Sequence, residues 1–147
     1  MKSLTYTTMC IAFLAFAAPA EAGREESKAN SVRAADAIKS QGLDAICDEI
    51  RDKENGTYRF EDSHVWVLNL DAMIVCDGSN IDFEGFNLVG LADPDGIDIG
   101  EKIKAEAIED GGWLIWKWQN QDSGEIQTQV NWVIKTDKYY VGSGAYE

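Results

Sequence analysis

The clearest pattern of apolar and polar positions lies near the C-terminus. Trp113 to Gln119 is aromatic or aliphatic at most positions, and Asn120 to Gly124 is a cluster of turn residues. Beyond it Ile126, Thr128, Val130 and Trp132 alternate with Gln127, Gln129 and Asn131. A period of two puts successive side chains on opposite faces of a strand, and the intervening Asp-Ser-Gly tolerates a tight reversal. Thr136-Asp137-Lys138 makes a second break before Tyr139. The prediction is a three-stranded antiparallel meander ending the domain, with the earlier chain covering its two faces.

Upstream the period changes. Ala29, Val32, Ala35 and Ile38, widened by Ala34 and Ala37, predict a helix over Arg24–Ser40. Gly42 interrupts it, and Leu43, Ile46, Cys47 and Ile50 predict a second helix, Leu43–Lys53, stopped by Asn55-Gly56. Thr57 to Ser63 reads as a polar connection. His64, Trp66, Leu68 and Leu70 alternate with Val65, Val67 and Asn69 as a strand, and Ile74–Cys76 returns as a short one. Asp77 to Asp98 is rich in Gly, Asn and Asp and reads as a long loop, of a length that is usually functional. Asp98 followed by Glu101 is an acidic capping box opening a helix to Asp110, with Ile99, Ile103, Ala107 and Ile108 on its apolar face. Five strands in hairpins with segregated helices make an α+β domain.

The chain start changes the expected setting. Lys2, the apolar run Met9–Ala18 and the small-x-small triplet Ala20-Glu21-Ala22 read as a secretory signal over 1–22, leaving a single domain over 23–147. The run is too short to span a bilayer, Cys10 within it lacks a lipid-attachment context, and no later run is long enough to insert. The expectation is a soluble periplasmic or secreted domain. Formal charge is −13, and removing Lys2 and Glu21 together leaves it unchanged. That charge repels nucleic acid and anionic membranes. Cys47 and Cys76 then remain; an oxidising compartment permits a bridge, and two buried free thiols are the alternative.

Trp66, Trp116, Trp118 and Trp132 carry the strongest chemical signal. Each serves either as core or as an aromatic wall with an N–H donor; Trp116 and Trp118 share one strand face. Gln129 and Asn131 share a face too, and either face water or line a pocket floor. His64, the only histidine, has no clustered ligands and is a poor metal site. Asp93-Pro94-Asp95-Gly96-Ile97-Asp98 lacks the spacing of a calcium loop and reads as a turn feeding a helix cap. No nucleophile–base order or phosphate loop supports an enzyme, and no cofactor or metal is expected.

Taken together, the motifs resemble the single Cache domains, extracellular ligand-sensing modules related in architecture to PAS domains. The matching segments are Val65-Trp66-Val67-Leu68-Asn69-Leu70-Asp71, Gly85-Phe86-Asn87-Leu88-Val89-Gly90-Leu91-Ala92-Asp93-Pro94-Asp95-Gly96 and Gly111-Gly112-Trp113. They continue as Trp116-Lys117-Trp118, Tyr139-Tyr140-Val141 and Gly142-Ser143-Gly144-Ala145-Tyr146. The resemblance implies a five-stranded antiparallel sheet, a long N-terminal helix on one face, and a ligand pocket under the loop and short helix on the other. Two positions depart from it: Asp77 where relatives often carry His, and Gln129 where they often carry Lys. Those basic groups suit small carboxylates; an acid and a neutral amide replace them here. The expected ligand-binding residues are Trp66, Asp77, Trp116, Trp118, Gln129 and Asn131. Expected partners are a small acid, amide or amine, with a membrane receptor as the recipient of the signal. The alternative is a non-catalytic structural or interaction module whose pocket is filled by tryptophan.

Overall fold

The computed structural model describes residues 19–147. Lys2, the apolar run and Cys10 lie outside the described residues. Helix α1, Pro19–Gln41, is followed after Gly42 by α2, Leu43–Arg51. A single 3-10 turn leads into β1, Arg59–Phe60, then β2, Ser63–Asn69, and β3, Ile74–Asp77. After the long connection come α3, Ile99–Glu106, and β4, Gly112–Gln119, β5, Ile126–Lys135, and β6, Tyr139–Tyr146. The C-terminal meander forms as the alternation predicts: β4 pairs β5 and β5 pairs β6, all antiparallel. β6 then pairs β2, giving the order β1-β2-β6-β5-β4, with β3 also on β2. Six strands thus replace the five expected. The polar segment 57–63 contains the extra one, a two-residue β1 that shares with β3 the edge of β2 left free by β6.

The sheet separates two cores. On one face α1 and α2 bury Ala34, Ile38, Ile46 and Ile50 against Val65, Val67 and Val141. On the other, α3 and the 78–98 segment bury Leu88, Ile99 and Ile103 against Leu68, Trp66, Leu114 and Trp116. The helix stripe differs from the one its alanines and valine predict. Ala29 and Val32 are exposed, while Gly23, Ser27, Asn30, Ser31, Ala34, Ala35 and Ile38 are buried. The reason is the surface α1 meets. Ser143 and Ala145 of β6 are small, so the helix comes close enough for serine hydroxyls to bond across: Ser27 Oγ to Ser63 Oγ at 2.7 Å, Ser63 Oγ to Ser143 Oγ at 3.0 Å. Ser31 Oγ donates to the Trp132 carbonyl at 3.0 Å. Each buried hydroxyl finds a partner, so these polar residues behave as core.

The third helix is shorter than predicted. Asp98 caps it, accepting from Glu101 N at 3.0 Å, but it ends at Glu106, and Ile108 is exposed. The Ile108 carbonyl instead accepts from Lys135 N, tying the helix exit to β5. The 77–98 segment is no free loop. Ile74 N donates to Phe86 O, Gly85 N to Ile74 O, Leu88 N to Ala72 O, and Gly100 N to Leu88 O. Gly100 is required there, because a Cβ would run into the Leu88–Val89 backbone. Cys47 of α2 and Cys76 of β3 are bridged, with Cα atoms 5.7 Å apart.

Three outcomes follow from this framework. The double change Cys47→Ala/Cys76→Ala lowers unfolding free energy by about 2–4 kcal/mol, and a reductant lowers the melting temperature of the native chain but not of the variant. A Cβ at Gly142 would meet the Trp66 ring, so Gly142→Ala costs about 1–3 kcal/mol in urea unfolding and shifts tryptophan emission. Asp93 is buried, which alone would raise its pKa. N–H groups of Lys117, Ile97 and Asp95, with the Lys117 charge, overcome this and hold it below the ordinary carboxylate value. Its stabilisation is therefore full above the unfolded pKa of about 3.9 and lost as pH falls through the lower folded value. Asp93→Ala lowers the melting temperature at neutral pH and flattens the acid limb of its pH profile.

Candidate functional site

Alternation along three strands builds one cleft on the face opposite α1. His64, Trp66 and Leu68 reach it from β2, Trp116 and Trp118 from β4, and Gln129 from β5; Asp77 arrives at the end of β3, paired in register with Trp66. Ile74, Leu88 and Ile99 close it from the cover. Trp66 and Trp116 stand with ring centroids 6.1 Å apart, tilted by 51°. Trp66 lies over Gly142, the one residue type that leaves room for its ring. The rim is Trp118, half-buried, with Phe83 of the cover edge-on to it at 5.8 Å. The free space is about 30 Å³, room for one or two waters.

The polar groups divide into satisfied and unsatisfied. Asp77 Oδ1 accepts from Ser79 N at 2.7 Å, Ser79 Oγ at 2.5 Å and Asn80 N at 3.1 Å, and lies 3.7 Å from His64 Nε2. Its Oδ2 accepts no hydrogen bond from the described residues, although Asp77 is only 8% exposed. The side-chain amide of Gln129, 3% exposed, likewise has no partner among them. Both open on the cleft and are available to a guest there; among the described residues, the side-chain nitrogens that are fully buried without a partner lie elsewhere, at Asn30 Nδ2, Arg59 Nε and Trp132 Nε1. A unit charge about 4 Å from the Asp77 carboxylate would interact by about 4 kcal/mol at an effective dielectric near 20. Behind Asp77, Glu84 accepts from its backbone N at 3.3 Å and clamps Arg51 bidentately at 2.8 and 3.0 Å. That clamp raises the Arg51 pKa, chiefly through its hydrogen bond to Glu84, and fastens the cover to α2.

Five of the six residues expected from sequence therefore meet: Trp66, Asp77, Trp116, Trp118 and Gln129. Asn131 does not line the cleft. It is fully buried one layer behind, accepting from Trp66 Nε1 at 3.4 Å and donating to the Gln129 carbonyl at 3.3 Å, so it orients the wall. Burial of both amides also removes the reading in which Gln129 and Asn131 face water. His64 is the residue the sequence reading passed over. Its signal is the shared period with Trp66 and Leu68; it is a buried strand residue, as its alternation implies, and its place in the wall follows from the face it shares with Trp66. Trp132 lies on the other face, against Trp113 and under Lys28 Nζ at 4.3 Å.

His64 also borders a polar vestibule of about 80 Å³ where Arg59, Asp62, Asn120 and Asp122 gather. Tyr146 stands nearby. Its phenol is held well above the ordinary value by burial first, then by Asp62, Asp77 and Asp122. A wider groove of about 500 Å³ separates the α1–α2 elbow from the β5–β6 turn. Its charged members, Asp36, Lys39, Glu109, Lys135, Asp137 and Lys138, are exposed. It lacks the convergence of buried, unpaired groups that marks the cleft.

Comparison with known proteins agrees with this architecture. The sensor histidine kinase MctS of Rhizobium johnstonii (strain DSM 114642 / LMG 32736 / 3841) is 30% identical over 88 residues, 58% of this chain and 19% of the kinase. A methyl-accepting chemotaxis protein from Vibrio parahaemolyticus RIMD 2210633 superposes with a TM-score of 0.68 at 18% identity, over 83% of this chain and 86% of that one. A Cache chemosensory domain described for its carboxylic acid recognition superposes with a TM-score of 0.59 at 15% identity, over 83% and 86%. At those identities the structures speak for the fold alone. The family model for single Cache domain 2 matches residues 22–147, nearly the whole described chain, and the protein belongs to that family of sensory domains.

Proposed function

We propose that the protein is an exported sensor domain that captures a small polar molecule in the cleft of Trp66, Asp77, Trp116, Trp118 and Gln129. The supporting observation is the pair of unpaired, nine-tenths buried polar groups, Asp77 Oδ2 and the Gln129 amide, on an otherwise aromatic wall. Both groups open on the cleft, where a guest can supply the missing bonds. Residues 1–22 serve as the export signal, and the domain over 23–147 works in the periplasm or outside the cell. Binding is reversible and non-catalytic, and the bound shape is passed to a membrane receptor. Candidate ligands are a small acid, amide or amine.

The cleft's small volume favours a second reading, a pocket filled by its own tryptophans that serves only structure. Two measurements separate them. Thermal shift with acetate, acetamide and methylammonium shows stabilisation by at least one, on the scale of about 2.7 kcal/mol at a hundredfold excess over Kd; no shift with any of them leaves the filled-pocket reading. Gln129→Leu removes an unpaired amide, so it raises unfolding free energy by about 1 kcal/mol while abolishing the ligand shift. A destabilised Gln129→Leu would mean that the amide serves the fold instead.

A further inference from the structure

We infer that the cleft selects a small protonated amine, of methylammonium size, over a carboxylate. The inference rests on the ligand-binding reading above and names its chemical class.

Charge decides the class. Among the described residues, Asp77 is the one carboxylate on the cleft wall, and no lysine or arginine lines it. The nearby basic groups are engaged or displaced. Arg51 is clamped by Glu84, and Arg59 donates to the Gly78 carbonyl within the vestibule beyond His64. His64 approaches Asp77 on the Oδ1 side, where Ser79 and Asn80 also donate, and Oδ2 remains open. Gln129 can add its Oε1 as a second acceptor, and because its amide also carries an NH2 the charge of Asp77 is what sets the preference. An N–H cation satisfies both. An anion would meet the Asp77 carboxylate with no lysine or arginine in the wall to offset it and with His64 already turned to Asp77, and removing an unpaired charge from water is the costlier outcome.

The aromatic groups point the same way. The Trp66 and Trp116 rings form adjoining tilted walls, and indole faces attract a desolvated ammonium. The surroundings carry a negative field as well. Glu61, Asp62 and Asp122 outnumber Lys53 and Arg59 around the vestibule, and the phenol of Tyr146 responds to Asp62, Asp77 and Asp122 together. Size sets the limit: about 30 Å³ of free space accommodates a guest of about two heavy atoms.

The test is calorimetric titration of the full chain with methylammonium chloride, sodium acetate and acetamide at matched ionic strength. Methylammonium binds at least about tenfold more tightly than either competitor, and Asp77→Asn weakens it by about tenfold or more. The amide introduced by that substitution keeps an acceptor oxygen for Ser79 and Asn80, and the native ranking needs no variant. Acetate or acetamide binding more tightly than methylammonium overturns the cation assignment and leaves the ligand-binding reading standing. No binding by any of the three overturns both.

Discussion

The structure depends on β6 being thin on both sides. Its Gly142-Ser143-Gly144-Ala145 run is central in the sheet, between β2 and β5. The two glycines face the cleft, where a Cβ at 142 would strike the Trp66 ring and one at 144 the Asn131 and Gln129 side chains. Ser143 and Ala145 face α1, where Gly23 approaches Ala145 and Ser143 joins the hydroxyl chain to Ser63 and Ser27. A bulkier strand would expel an indole on one side or a helix on the other, since close-packed interiors cannot absorb even a methylene freely.

The two faces carry different kinds of order. Against α1 the buried hydroxyls find partners, and the disulfide binds α2 to the sheet. On the cleft face the apolar contacts are equally tight, yet two polar side chains remain without partners among the described residues. Both faces also leave polar atoms unmatched: Asn30 Nδ2 and Trp132 Nε1 are fully buried without a partner among the described residues on the α1 side, whereas Asp77 Oδ2 and the Gln129 amide open on the cleft. Backbone bonds to β3 and α3 and the Arg51–Glu84 clamp hold the cover, while only an aromatic edge contact, Phe83 on Trp118, closes the rim.

Much of this was legible in the residues. Aromatic and aliphatic composition located β4 and strict alternation located β5; the period of two put Trp116 with Trp118 on one face of their strand and set Gln129 apart from Thr128 and Trp132 on the next. The hidden parts have definite causes. Counting apolar residues misplaced the buried stripe of α1, because Ser27, Asn30 and Ser31 enter the core on account of the strand opposite them, which a helix-only pattern does not contain. Asn131 shares a face with Gln129 but sits behind Trp66, and a period of two says nothing of depth. β1 is only two residues long, too short to carry a period. The segment 77–98 looked like a loop because its order comes from backbone bonds to distant residues rather than from its own composition.

One corner of the molecule brings the start of α1 against the end of β6. Arg24, early in α1, pairs with Glu147, the last residue, and Gly23 touches Ala145. The strand whose glycines seat the Trp66 indole thus emerges beside the first turns of the long helix. The cleft wall and the entry of the long helix are therefore built on one and the same strand.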